Sequence, residues 1–494
     1  MRKGQGMLRR IKKKKFELSK LRKIKSLFNR LPILTYFLFA GMGAGICLIY
    51  LLFLPTSFYY KIGFVLITAV FILIFATGIF RFYREFLTRK YLLLCLIILL
   101  STALMSRIVM SLPQIPDIFV PFAFLSIFLS IFLNIPLSLF ALSILLILFT
   151  IISGQFWLLP VWFCGGVAGI YGTSLIHQRT DITKLGLWVG LASLCSALGA
   201  GFIKNLSFSE LISWGAWGLA SGIFSSILIN ITLPYFETYF GITTDIRLLE
   251  LTDLNHPLLH RLSIEAPGTY HHTMTVATLA VAAAKAVGAN PLLTRVGAYY
   301  HDIGKVSRPH FFFENSQTQG EGDYHSMVSP NLSSVIIISH VKDAIELAKI
   351  FRLPQIVIDI IAQHHGTSLI AYFYRKAFLR RKKEGSVDES GFRYPGPKPR
   401  TKEAAIVMLA DSVEADGRYF SWKSPKEIKS RVEKVINNKL KDNQLDEVNL
   451  SLRDLNLIEE SFVRVLTGLS HTRKRYPEEM LKSEEKNLKN QQYV

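Results

Sequence analysis

Residues 33–233 are almost free of charge, whereas residues 1–30 and 240–494 hold nearly all of it. A stretch that long and apolar excludes a purely water-soluble protein, and it excludes a disordered one. A helix crossing a bilayer needs about 20 consecutive apolar residues. Eight such runs can be read, at about 33–54, 62–80, 91–112, 117–134, 135–153, 156–174, 185–203 and 211–233. The fourth and fifth are split only by Asn134, Ile135 and Pro136, and the sixth is rich in glycine.

The chain of 494 residues has a formal charge of +21, from 57 Lys and Arg against 36 Asp and Glu. Thirteen of those cations fall within residues 1–30, against the single acid Glu17, directly before the first apolar run. A basic segment in that place is attracted to anionic membrane lipid and fixes topology. No aromatic-interleaved basic stripe or zinc-finger spacing accompanies the charge, so no nucleic-acid polymer is expected as a partner. The amino terminus lacks the small-residue cleavage site of a signal peptide. Cys47, Cys95, Cys164 and Cys195 all lie in apolar runs without paired spacing, which implies neither a disulfide framework nor a thiolate metal site.

Loop charge predicts orientation. With a cytoplasmic amino terminus, the inside loops carry Arg81, Arg84, Arg89, Lys90, Arg179 and Lys184, and the outside loops only Lys61 and Lys204. That asymmetry obeys the positive-inside rule, and an even span count returns residues 240–494 to the cytoplasm. The apolar region holds no intramembrane carboxylate of the kind a transporter or pump uses, and Arg107 is its one conspicuous charge, read as snorkelling or packing. The expected role of the bundle is therefore anchoring or sensing.

After Pro234 the composition becomes that of a soluble domain. Apolar residues recur at helical spacing in 273–289, 292–303, 331–351, 354–365 and 401–415, and β-branched alternation is scarce. Residues 381–400 read as a charged loop rich in Gly and Pro, and the sequence beyond 421 as solvated helices. The expected fold class is all-α: a basic segment (1–32), a transmembrane bundle (33–233), a cytoplasmic helical domain (240–480) and a flexible tail (481–494).

Ten of the twelve histidines lie between His256 and His365. Their placement is more telling than their number. His271 and His272 follow a turn-like Ala-Pro-Gly-Thr-Tyr; His301 and Asp302 close the run VGAYYHD; His340, the pair His364–His365 and Asp411 each end an apolar helical stretch. Several helices can thus aim imidazoles and carboxylates into one pocket. A single such histidine is usually a hydrogen-bonded core residue. Two adjacent His-His pairs and a His-Asp at helix ends point instead to metal, because coordination removes the cost of burying them. Donors that are all nitrogen and oxygen suit iron, manganese or magnesium-like ions better than a thiolate zinc site.

The ordered pattern H…HD…H…HH…D resembles that of the HD-domain phosphohydrolases, with HDIGK at 301–305 as the central motif. EAPGTYHH (265–272), ISHVKD (338–343), IAQHHGT (361–367), YPGPKP (394–399), MLADSVEA (408–415) and RKRYPEE (473–479) narrow the resemblance to the PgpH-type membrane HD proteins, closely over 240–480 and loosely over the bundle. These are multi-span bacterial proteins that hydrolyse cyclic di-AMP to pApA. The resemblance implies two divalent transition-metal ions, iron or manganese. His272, His301, Asp302 and Asp411 would hold one, and His340, His364 and His365 the other, with Asp302 bridging. Metals so placed activate a water for in-line attack on phosphorus.

Lys305, one turn beyond His301, is assigned to a phosphate oxygen. His271 and His325 are candidate substrate contacts, although Asp323, Tyr324 and Ser326 depart from the family's version of that loop. His256, His260 and His310 read as surface or packing residues. Related proteins often carry a large extracellular domain between the first two spans, where only residues 55–61 lie here. The expected function is that of a membrane phosphodiesterase of a cyclic dinucleotide, with signal input through the bundle and its state of homo-oligomerisation open. Hydrolysis of an alarmone or nucleoside phosphate, or nucleotide sensing without turnover, are the alternatives.

Overall fold

The structure is a computed structural model that describes residues 35–51, 57–83, 86–176, 178–315, 324–380, 387–419 and 424–471. The basic segment 1–32, the RKRYPEE motif, the tail 481–494, Arg84 and Asp323 lie outside the described residues. The chain divides into two compact units, Met1–Ile246 and Arg247–Val494. Among the described residues both are helical without strands, apart from one isolated bridge between Leu369 and Arg393.

The first unit contains α1 (Thr35–Leu51), α2 (Phe58–Phe82), α3 (Arg89–Met110), α4 (Phe122–Phe132), α5 (Ile135–Ser153), α6 (Leu159–Gly172), α7 (Arg179–Ile203) and α8 (Phe208–Phe240). Six are long and apolar enough to cross a bilayer, counting the turns that extend α6 to Phe156–Leu175. The described part of α1 and the segment Asp117–Phe132 are shorter. The chain is a multi-pass membrane protein. Val65, Leu66, Val70 and Leu73 stay exposed on α2, as a lipid-facing helix requires. By contrast α4 is buried all round, from Phe122 to Leu129, so it lies inside the unit. It ends where Asn134 caps α5 by accepting the Leu137 N–H at 3.1 Å, with Pro136 in the first turn of α5.

Arg107 sits half-buried in the last turn of α3, near the helix end. One difference from expectation has a local cause. The last span, expected to stop at 233, belongs to a helix that continues through Pro234 to Phe240. Proline there removes one ladder donor but leaves the remaining bonds, and Gly241 in the left-handed region closes the helix. α7 and α8 pack backbone to backbone: a Cβ on Gly222 would overlap the main-chain nitrogen of Gly190. Arg179 at the start of α7 bridges Glu237 near the end of α8 at 3.1 Å, and Glu237 also accepts from Thr244.

The second unit contains α9 (Asp245–Glu250, across the division), α10 (Pro257–Glu265), α11 (Pro267–Ala286), α12 (Pro291–Tyr300), α13 (Pro330–Ile350), α14 (Gln355–Gln363), α15 (Ala371–Arg380), α16 (Lys402–Tyr419), α17 (Pro425–Lys441) and α18 (Leu452–His471). Asn290, Ser329 and Ser424 cap α12, α13 and α17, each followed by proline as the first helical residue. The core centres on α16, whose residues Ala404 to Ala410 are all buried, against α11, α12 and α17. Polar side chains on the helices of this unit, some at their ends and some, like His340 and Asp411, in their middle, therefore meet inside it.

Candidate metal centre

The centre begins with the turn after α12. His301 is the C-cap of α12, and Asp302 opens a short 3-10 turn, Ile303–Ser307, packed on α13. A Cβ on Gly304 would overlap the carbonyl oxygen of His340, so only glycine lets this turn seat against α13. That contact brings Asp302 to His340, with Oδ1 3.3 Å from Nε2. α11 contributes His272, α14 ends at His364–His365, and α16 contributes Asp411 and Glu414.

Three histidines are oriented alike. The Nδ1–H of His301 donates to the carbonyl of Ala298 at 2.7 Å, that of His340 to Ile337 at 2.5 Å and that of His364 to Ile361 at 2.6 Å. A carbonyl only accepts, so Nδ1 carries the proton and Nε2 presents its lone pair. His272 uses a side chain for the same purpose, pairing Nδ1 with Glu414 Oε2 at 2.6 Å.

The four Nε2 atoms converge on carboxylates. His272 lies 3.3 Å from Asp302 Oδ2 and 3.1 Å from Asp411 Oδ1; His301 lies 3.2 Å from Asp302 Oδ2. On the other side, His364 lies 3.8 Å from Asp302 Oδ1 and 3.4 Å from His340 Nε2. His365 Nδ1 stands 3.6 Å from Asp411 Oδ2, and its ring stacks on Tyr394 at 4.2 Å. Two groups of donors result, each with its atoms within 4.8 Å of one another: His272, His301, Asp302 and Asp411, and Asp302, His340, His364 and His365.

These residues fit a pair of cations. Neutral Nε2 lone pairs facing carboxylate lone pairs repel unless a positive charge lies between them. Nε2 of His272, Nε2 of His301 and Oδ1 of Asp302 are buried and have no hydrogen-bond partner, a costly state for polar atoms. The charge states of Asp302, Asp411, His364 and His365 agree, and that of His272 does not. Burial opposes the anion of Asp302, but Lys305, His301 and His272 hold its carboxyl well below the usual range. Burial likewise opposes Asp411, and His272 and His365 hold it well below. Burial, then the neighbouring imidazoles, lowers His364 to about 3 and carries His365 well below the usual histidine value. His272 moves upward: burial disfavours its cation, but Asp302, Asp411 and Glu414 prevail.

Lys305 is committed to carboxylates, 2.8 Å from Asp302 Oδ2 and 2.7 Å from Glu314 Oε1. Two of its three donors are thereby used. Neither His271 nor His325 belongs to the donor groups. His271 is exposed beside Tyr270, and His325 pairs its Nε2 with the Phe311 carbonyl at 2.7 Å and packs on Phe373. His256 caps α10 and packs on Tyr300. The sequence reading missed four residues: Glu414, Glu314, Tyr394 and Lys439. Glu414 and Tyr394 stand inside motifs it quoted, and Glu414 lies one turn from Asp411 on the same helix face. Nothing in the sequence distinguishes Glu314 or Lys439.

Residues 58–244 match the family model described as a 7TM receptor with intracellular HD hydrolase, and residues 269–416 match that of the HD domain. The chain is 43% identical over 315 residues to the cyclic-di-AMP phosphodiesterase PgpH of Bacillus subtilis, covering 63% of this chain and 44% of that protein. It is 41% identical over 304 residues to PgpH of Listeria monocytogenes, covering 61% and 42%. It thus spans less than half the length of these curated relatives. A crystal structure of the L. monocytogenes PgpH HD domain in complex with cyclic-di-AMP is 42% identical, with a TM-score of 0.42, and covers 45% of this chain and 100% of that one. With the two family models in succession along it and PgpH relatives at this identity, the chain belongs to the PgpH-type membrane HD-domain proteins.

Proposed function

We propose that the chain is a membrane-anchored, metal-dependent phosphodiesterase that opens cyclic di-AMP to pApA. The observation that carries this reading is the pair of four-donor groups sharing Asp302, in a chain whose curated relatives bear that activity in their names. His272, His301, Asp302 and Asp411 would hold one divalent ion and Asp302, His340, His364 and His365 the other, with iron or manganese favoured by the nitrogen and oxygen donors. Bound there, such ions supply a nucleophile from water at neutral pH and offset charge on the phosphate.

The protein's own groups do the rest. The carbonyls of Ala298, Ile337 and Ile361, with Glu414, fix the imidazoles in one tautomer. Lys305 and Glu314 hold Asp302 between the two donor groups, and the remaining Lys305 donor is free to meet a phosphate oxygen. Hydrolysis adds one water across one P–O3′ bond: phosphorus gains the oxygen, and the leaving 3′ oxygen takes up a proton. Each product end then carries one group, a 5′-phosphate and a 3′-hydroxyl.

The bundle anchors this centre in the cytoplasmic membrane, with both chain termini cytoplasmic, and passes on any signal from the lipid or the far side. The test uses the purified full-length chain in lipid nanodiscs, loaded with Mn²⁺ or Fe²⁺, with cyclic di-AMP and a guanosine alarmone offered separately. pApA from cyclic di-AMP is expected. Cleavage of the alarmone alone would replace this substrate, and binding of the dinucleotide without product would make the protein a receptor.

A further inference from the structure

Cations around the centre are nearly all neutralised by carboxylates. Lys305 pairs with Asp302 and Glu314, Arg393 with Asp442 at 3.0 Å, Lys398 with Asp446 at 3.8 Å and Arg400 with Glu447 at 3.0 Å. Lys439 on α17 differs. Its Nζ donates to a neutral hydroxyl, Ser368 Oγ, at 2.8 Å, and among the described residues no carboxylate lies within ion-pair distance. The side chain is not fully solvated, and Asp411 and Asp442 act on it only from further away. Holding an ammonium in such a place without a counter-ion is costly, and an arriving anion removes the cost.

The surroundings put Lys439 at the edge of the metal centre. Ser368 belongs to the turn after His365, with its N–H donating to the His365 carbonyl at 3.1 Å. The Tyr394 N–H donates to the Ser368 carbonyl at 3.1 Å, and the Tyr394 ring lies on His365. Lys439 therefore stands on the side of His340, His364 and His365. A cyclic dinucleotide carries two phosphates, and only one can lie at the metals during attack. The second needs its own cation. We infer that Lys439 binds the second, unattacked phosphate and so makes the centre selective for substrates with two phosphates, an inference that rests on the phosphodiesterase reading above.

The test compares kcat/KM for cyclic di-AMP with that for bis(p-nitrophenyl) phosphate, which has one phosphate, in the full-length wild type and in Lys439→Gln, which keeps a donor for Ser368. A lost charge-assisted hydrogen bond predicts that the ratio falls about ten- to hundredfold, mainly through KM for the dinucleotide, at unchanged metal content. Ser368→Ala should keep the ratio, because it removes the hydroxyl and not the charge. An unchanged ratio in Lys439→Gln, or an equal fall in Ser368→Ala, would overturn the inference and make Lys439 a brace for the turn. Should Lys439→Gln fail to fold, the wild type still decides. Linear ApA, with a single phosphate, must be a poorer substrate than cyclic di-AMP by a comparable factor, and equal turnover of the two would reject the assignment. Failure of the phosphodiesterase reading is seen separately, as a wild type inactive on both diesters.

Discussion

Four imidazoles present Nε2 to the same carboxylates because each Nδ1–H is tied elsewhere, three to a carbonyl three residues earlier and one to Glu414. Asp302 is shared by both donor groups, so Asp302→Ala should empty both sites and lower hydrolysis at least about a thousandfold. The helices should remain, since Lys305 keeps Glu314. Metal analysis and circular dichroism check this, and near-normal turnover would refute the two-metal arrangement. Glu414→Gln should weaken binding at the His272 site about ten- to hundredfold while leaving the other site filled. The raised pKa of His272 sets a pH dependence. Without an ion the surrounding carboxylates favour the protonated form of this imidazole, so binding opposes proton uptake there. Affinity at that site should therefore fall as pH falls, by up to about tenfold per unit below the His272 pKa. Metal titrations at several pH values measure the slope, and a flat response would show that His272 is already neutral.

At the scale of the element, the seat of the 301–307 turn on α13 sets the distance between the two donor groups. Gly304→Ala should cost up to about 3 kcal/mol, the upper range for overpacking, and should lower metal content as well as the melting temperature. Gly391→Ala, where a Cβ meets nothing within 4 Å, is the matching control and should leave both unchanged. A Gly304→Ala variant with normal metal content would mean that the turn shifts without moving Asp302. The helices of this unit and the donors at 301–302 and 364–365 were legible because those donors end strongly periodic apolar stretches, as in IVIDIIAQHH, whereas His340 and Asp411, expected at helix ends, lie inside α13 and α16. Lys439 was not, because it lies among the alternating charges of α17, and its contact with Ser368 spans 71 residues. Periodicity carries no information about such a pairing. Nor can hydropathy tell a short helix buried all round, such as α4, from a full-length span.

At the scale of the whole molecule, the α7–α8 hairpin adds to the loop charges. The Arg179–Glu237 bridge joins the start of α7 to the end of α8, so these ends lie on one side of the membrane. Arg81 closes α2, and Arg89 and Lys90 open α3. The positive-inside rule places all of these ends in the cytoplasm, but only if α4 counts as a crossing. α4 has 11 residues and rises about 16 Å at 1.5 Å per residue, roughly half the hydrocarbon thickness. The extended stretch before it, with the turn Asp117–Phe119, must cover the rest. If the segment crosses, reporter fusions at residues 54–61, 154–155 and 204–207 should report outside, and fusions after Arg81, after Gln178 and after Gly241 inside. If it turns back, every site beyond residue 134 inverts while those before 112 do not. That outcome would put Arg179, Lys184 and the metal centre outside, away from any cytoplasmic nucleotide, so the same fusions test the span count and the access of the centre to its proposed substrate.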